Sequence, residues 1–290
     1  MKYLASFVMR GQIQVLSVAM ILGLISLQFL PAAILCAAVI ALYVLRKGHE
    51  KAALIFLSTI ALVYCANLFL ETRAGLGFPM IIILLIPVWI STLVLRATES
   101  QGLAVTTAIG CAALFAIAMH LFIGDTIQWW SEWLKIATPG VENASYQEFV
   151  DNGSINNMNG LVAAILGLFT IASLFTGRWL QAKLYNPEGF SVEFSELNIP
   201  KPVLFIIAAI LLVSAVLSRI LLNDLLMVFS VIYFLQGLAI LHHQVLNNRL
   251  NRVLLFPVYL MIFFLPHYAI FGLASVGVMD TLLNFRKLPE

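Results

Sequence analysis

Nine stretches of this chain are apolar with almost no interruption, at 13–30, 31–45, 52–70, 78–95, 103–123, 159–179, 202–222, 225–246 and 253–283. A helix that crosses a bilayer needs about 20 such residues. A lipid-exposed β-barrel strand would instead alternate apolar and polar positions over about 10 residues. These runs do not alternate, so helices are expected. Hydrophobic residues make up 62% of the 290 and charged residues only 10%, with a mean hydropathy of +1.00. Water-soluble domains carry about 25% charged residues, so this chain is too poor in charge to cover a water-facing surface. The expected fold is all-α: one integral membrane domain over 1–290, a polytopic transmembrane helical bundle of about eight to nine spans.

The first two runs meet at Pro31 and read as a hairpin. The last contains Pro257, Pro266 and Gly272, so it is either one kinked span or a half-helix followed by a longer one. Lys2 and Arg10 precede the first run, but no small-x-small cleavage site follows, so it reads as a retained span.

Loops rich in Lys and Arg stay on the cytoplasmic side. Lys2, Arg10, Arg46, Lys47, Lys51, Arg178, Lys183, Lys201, Arg249 and Arg252 fall on one side if the N-terminus is cytoplasmic. An outer loop, 124–158, then carries Asp125, Glu132, Glu142, Glu148 and Asp151 against Lys135 alone. The side of Arg286 and Lys287 depends on whether the last segment breaks. The expected location is the bacterial inner membrane, with the lipid bilayer as the first partner.

Net charge is +2 and the basic clusters are small, which gives no footprint for nucleic acid. Cys36, Cys65 and Cys111 are odd in number and lie within spans, so no disulfide framework or metal site is implied. The Asn143 and Asn152 sequons matter only in a secretory lumen. No phosphate-binding loop, His-Glu-x-x-His or nucleophile elbow occurs. We therefore expect no enzyme, no cofactor, no metal and no catalytic residue.

Small residues recur at helical spacing: Ala19 with Gly23, then Ala33, Ala37 and Ala41, then Ala104, Ala108, Ala112 and Ala116, then Ala163 with Gly167. Such faces let helix backbones approach closely. They serve packing within the chain or, on the first two segments, docking of another subunit. Within the outer loop, Ile127, Trp129, Trp130, Trp133, Leu134, Ile136 and Ala137 share one half of a helical wheel, and Asp125 stands where it can cap the helix start. Trp129, Trp130 and Trp133 suit an interfacial anchor. A lid or aromatic wall over an outward pocket is the alternative.

Ionisable groups within spans are costly and usually functional. His120, His242 and His243 lie near span ends, and His267 is deeper, with a hydrogen-bonded structural role expected. Arg219 and Asp224 bracket a short turn, where a local ion pair is open to them and no further role is needed. Asp280 shares a helical face with Asn284 and Lys287 and reads as a tether to a neighbouring helix or as a ligand carboxylate. A cytoplasmic loop, 180–200, begins just after Arg178 and Trp179, continues through Gln181 and Tyr185, and turns at Asn186, Pro187 and Gly189. Membrane anchoring and partner contact are both open to it.

Several stretches together resemble a known family: 45–48, 87–89, 95–100, 177–190 with 193–197, 236–239 and 277–286. The residues that carry it include Arg178, Trp179, Gln181, Tyr185, Asn186, Pro187, Gly189 and Phe190, then Gln236 and Gly237, then Asp280 and Arg286. The chain resembles the proteobacterial branch of the YybS-like predicted membrane proteins, a family of unknown function thought to be related to the S subunits of energy-coupling-factor transporters. The resemblance implies an S-subunit-like core that binds a small or lipid-like ligand, with a partner subunit supplying energy. The resemblance supplies no ligand residues of its own; Arg178, Trp179, Gln181, Tyr185, Asn186, Gln236, Asp280 and Arg286 are the candidate ligand or partner contacts. Gln28, Asn67, Asn159 and Gln236 are neutral, so the expected ligand is largely uncharged. The alternative function is a non-catalytic scaffold subunit of a cell-envelope or membrane-protein complex.

Overall fold

A computed structural model describes residues 2–70, 80–137, 151, 153–247 and 249–286. Glu142, Glu148, the two sequon asparagines and Lys287 lie outside the described residues. Among the described residues every regular element is a helix. In order, the helices are α1 (Lys2–Val8), α2 (Gln12–Ile25), α3 (Pro31–Lys47), α4 (His49–Leu70), α5 (Met80–Thr98), α6 (Gln101–Phe122), α7 (Thr126–Ala137), α8 (Met158–Tyr185), α9 (Gly189–Ser195), α10 (Lys201–Leu217), α11 (Arg219–Leu246), α12 (Leu255–Phe264) and α13 (Pro266–Leu283).

Five of these, α4, α5, α6, α8 and α11, are long and apolar enough to cross a membrane. The expected count of eight to nine spans goes beyond these five. The run at 13–30 forms a helix of only 14 residues, and α3 and α10 have 17 each. At 1.5 Å per residue, 14 residues reach about 21 Å, short of a hydrocarbon core of about 30 Å. The last run breaks at Leu265, where Pro266 starts a new helix and gives α12 and α13 of 10 and 18 residues.

Local chemistry fixes the ends. Pro31 opens α3, where its missing N–H costs nothing. Gly48 ends the same helix at φ +97°, a left-handed conformation that glycine adopts without strain. Arg96 then donates to the Val44 carbonyl at 2.6 Å, satisfying a carbonyl in the last turn of α3. Ser100 and Ser218 cap α6 and α11 by accepting from Leu103 N and Leu221 N. Asp125 accepts from Gln128 N at 2.9 Å at the start of α7.

Helix α8 is the central post. It packs against α3 and α5 on one side and α6 and α11 on the other. One core cluster joins α1 to α5 and reaches Leu180 of α8, and a second joins α6, α8, α10, α11 and α13. The outer faces stay apolar: Leu54, Leu57, Phe205, Leu212, Val216 and Phe263 are all more than half exposed. A soluble protein rarely leaves that much apolar surface uncovered, so these faces are suited to lipid.

The small-residue faces are consumed inside the chain. Ala33, Ala37, Ala41, Ala104, Ala108, Ala112 and Ala116 are buried. Gly23 lies against Val63 and Thr59, and a Cβ on Gly167 would sit 2.9 Å from the Ile109 side chain. They therefore offer no free face for another subunit. Replacing Ala112 with Leu should overpack this contact and cost about 1–3 kcal/mol. Thermal unfolding of the variant in nanodiscs checks this, and an unchanged midpoint would contradict the packing.

Four buried hydroxyls are satisfied within their own helices. Thr59, Thr92, Thr170 and Ser173 each donate to a carbonyl one turn back in their own helix, at 2.6–2.7 Å.

Candidate functional site

Polar chemistry gathers at the two ends of the bundle. At one end, the C-terminus of α6 meets the N-termini of α8 and α11. Asp224, with no exposed surface, is the centre of a network there. Its Oδ2 accepts from His120 Nε2 and from Asn159 Nδ2, both at 2.7 Å, and its Oδ1 accepts from Gly160 N at 2.9 Å. Asn159 in turn accepts from the Trp130 indole at 3.4 Å. Gly160 has to be glycine, because a Cβ there would sit 2.6 Å from the Asp224 Cα.

Three expectations change here. Asp224 bonds to His120, Asn159 and Gly160, and no ion pair joins it to Arg219 among the described residues. Trp130 is not an interfacial anchor: it is buried, with Trp129 and Trp133 packed edge-on at 4.8 and 5.5 Å between centroids. Trp129 and Trp133 are half-buried. The Trp130 side of α7 therefore packs over this end of the bundle. His267 is exposed and contacts the rings of Tyr268 and Phe271 instead of being a buried structural residue.

At the opposite end, α9 and the segment after it fold back into the bundle. Leu197 and Ile199 are 1% exposed although they lie outside any helix. Irregular backbone at such a place must find its hydrogen bonds within the protein. Ile199 N donates to Gln236 Oε1 at 3.2 Å, and the Leu197 carbonyl accepts from Arg286. The Asn198 carbonyl presses on Gly102, where a Cβ would be 2.0 Å away. The expected cytoplasmic loop is thus largely a short helix and an inserted strap.

The strap is held by a second network. Gln236 Nε2 donates to Asp280 Oδ2 at 2.9 Å, and Thr281 Oγ1 donates to Gln236 Oε1 at 3.3 Å. Asp280 Oδ1 accepts from Phe285 N at 3.0 Å, and Arg286 Nε lies 3.7 Å from Oδ2. Asp280 is 3% exposed. Burial pulls the Arg286 guanidinium below its usual pKa, while Asp280 and Glu196 oppose that shift. Exchanging Asp280 for Asn keeps its shape but turns one acceptor into a donor. The expected loss is about 1–3 kcal/mol of stability, read as a lower unfolding midpoint. A variant as stable as the wild type would show that the carboxylate does not tie α13 to α11.

Beside the strap lies a cavity of about 740 Å³. The ends of α3, α5, α6 and α8 frame it, with the strap as its remaining wall. Its polar lining includes Arg96, Glu99, Ser100, Gln101, Arg178, Gln181, Glu193 and Glu196. Arg178 Nε donates to Glu193 Oε2 at 2.8 Å and its NH2 group to Oε1 at 2.5 Å, a two-pronged pair. Arg178 NH1 donates to Gln181 Oε1, and Gln101 Nε2 donates to Glu193 Oε2 at 3.0 Å. Gln101 and Gln181 are buried, and Gln101 Oε1 has no hydrogen-bond partner among the described residues.

The structure groups the candidate residues unevenly. Arg178 and Gln181 line the cavity, and Gln236, Asp280 and Arg286 hold the strap that walls it. Trp179 lies under Lys183, Tyr185 stacks under Arg46 at 3.4 Å, and exposed Asn186 ends α8, so none of these three lines the cavity. Sequence reasoning missed Gln101, Glu193 and His120–Asp224 as partners. Glu193 was visible one helical excursion after Arg178, but nothing in the sequence pointed to Gln101, which is 92 positions from Glu193. Two of the four neutral residues behind the expected uncharged ligand are engaged within the chain. Asn159 and Gln236 are bound to carboxylates, and the cavity wall is charged.

A bundle with apolar outer faces, five helices of membrane-crossing length and polar networks at both ends is a polytopic helical membrane protein. More specifically, residues 125–281 match a family described as predicted membrane protein (DUF2232), and the chain belongs to that family. The match takes in Trp130, Asn159, Arg178, Glu193, Asp224, Gln236 and Asp280. It overturns the YybS-like resemblance, and the S-subunit-like core implied by that resemblance has no support from the match. No curated protein and no solved structure matches the chain.

Proposed function

We propose that this protein is a non-catalytic membrane receptor for a small polar solute, which it holds in the 740 Å³ cavity between α6, α8 and the 196–200 strap. The observation that carries the reading is the wall of that cavity. Charged and amide side chains converge on a space large enough for a metabolite, in a chain that is otherwise poor in charge. Arg46, Arg96, Arg178, Lys183, Lys201 and Arg286 gather at this end, so the bias of positive charge favours the cytoplasmic face of a bacterial inner membrane, with the N-terminus on the same side. The scaffold alternative has less support, because the faces that motivated it are filled by the chain's own helices.

Ser100 lines the cavity at the start of α6 and is half-buried. Ser100→Trp should obstruct the cavity, and the loss of the α6 cap should cost the variant about 1 kcal/mol and lower its own unfolding temperature, so each protein is compared with its own ligand-free midpoint. A filtered low-molecular-mass cytosolic extract should raise the unfolding temperature of the wild-type protein and leave the variant unmoved. An equal response from both would place the binding elsewhere.

A further inference from the structure

We propose that a groove between α10, α11 and α13 seats an acyl chain of an anionic phospholipid, whose phosphate meets the Lys201 ammonium. The groove shares no lining residue with the strap-walled cavity, so the two sites are tested independently. Its volume is about 460 Å³. Ala208 of α10, Ser230 of α11 and Ala274 and Ser275 of α13 line it, and none is large enough to close the gap. Close-packed protein leaves few voids larger than a water molecule, so a gap of this size calls for an occupant. Water is a poor one, because an ordered water needs two to four polar partners. Ser230 Oγ donates to the Met227 carbonyl at 2.7 Å, Ser275 Oγ donates to the Phe271 carbonyl at 2.8 Å, and the Tyr233 hydroxyl is buried. The rest of the lining is apolar. An apolar cavity of about 150 Å³ stays dry and takes up a benzene ring, and this groove is roughly three times larger. Ala208, Ser275 and Met279 are exposed, so it opens on the apolar outer face, where hydrocarbon is at hand.

Lys201 decides which lipid. It stands one turn before Leu204 on α10, and Leu282 stands one turn after Met279 on α13, both Leu204 and Met279 being groove residues. Lys201 Nζ donates to the Leu282 carbonyl at 3.2 Å, so the ammonium sits at the end of the groove, between its two outer helices. An ammonium has three donors, and this exposed one makes a single bond to the chain and no ion pair among the described residues. The Asp280 carboxylate on α13 is buried and taken by Gln236 and Phe285 N. Helix α10 begins at Lys201, so its positive end adds to the same field. A phosphate whose headgroup carries no cation complements this end, and a choline headgroup brings a cation of its own to it. The rival occupant is an apolar helix of a second copy of the chain.

The protein is released for native mass spectrometry from nanodiscs of phosphatidylglycerol and phosphatidylcholine in equal amounts, and the retained lipids are read by mass. The groove is filled in the double variant Ala208→Phe/Ser275→Phe, which adds bulk at two exposed positions and should fold, as its unfolding temperature in phosphatidylcholine alone checks. The wild type should keep one lipid more than this variant. That lipid should be phosphatidylglycerol by about fivefold over phosphatidylcholine, the worth of one lysine near anionic headgroups. Lys201→Gln, which leaves the groove open, should keep the lipid and lose the preference. A lipid that survives the filled groove, or a preference for phosphatidylglycerol that survives Lys201→Gln, would overturn the site. So would a wild-type dimer without the extra lipid that separates when the groove is filled, which would give the groove to a second copy instead.

Discussion

Gly277→Ala should unfold at a clearly lower temperature than the wild type, while Gly272→Ala on the same helix should hold or gain stability. The difference comes from what each added methyl would meet. At Gly277 a Cβ would lie 2.1 Å from the Tyr233 carbonyl oxygen, and at its partner Gly237 a Cβ would lie 2.0 Å from the Leu273 carbonyl oxygen. Both obstacles are backbone, so α11 and α13 would have to separate. Overpacking costs about 1–3 kcal/mol and sometimes more. The better helix propensity of Ala returns about 1 kcal/mol. A net loss of up to about 2 kcal/mol is expected at Gly277, and its effect reaches the strap, because Gln236 and Asp280 sit on these two helices. At Gly272 nothing lies within 4 Å, so only the propensity gain remains. Equal midpoints for the two variants in nanodiscs would mean that α11 and α13 are not in backbone contact.

The second large effect belongs to Asp224. Removing its side chain leaves the Asn159 amide and the Gly160 N–H without their acceptor in a site with no exposed surface. Breaking such a buried, charge-bearing network costs about 3–5 kcal/mol. Asp224→Ala should therefore accumulate poorly and unfold early. His120→Ala should cost less, because the carboxylate keeps Asn159 and Gly160 as donors. The indole of Trp130 hangs on the same network through Asn159, so Asp224→Ala should also move the intrinsic fluorescence to longer wavelength as α7 loosens. Wild-type stability in Asp224→Ala would remove the structural role given to this end of the bundle.

The class of the protein was legible because it rests on runs of residues. Continuous apolar stretches, Pro31 at a turn, Asp125 before an amphipathic segment and the alanine spacing all report local structure, and local structure is what sequence encodes most directly. Apolar runs give the class but not the number of spans, because the run at 13–30 folds into a helix of only 14 residues. The orientation of Trp130 failed for a related reason. An apolar half-wheel is the same whether it faces lipid or protein, and only the packing on Asn159 decides. The networks were out of reach because their members are brought together by the fold: Asp224 meets His120 across 104 positions and Gln101 meets Glu193 across 92. The strap was read as a loop because Leu197 and Ile199 carry no period, and their burial depends on Gln236 being there to satisfy Ile199.

Native mass spectrometry of the protein ejected from its own membrane tests the central claim, that the strap-walled cavity holds a small polar solute. The account predicts a wild-type spectrum with one adduct of metabolite mass, and a Ser100→Trp spectrum that lacks it. A wild-type chain that never carries such an adduct, or one that keeps it in Ser100→Trp, would contradict it.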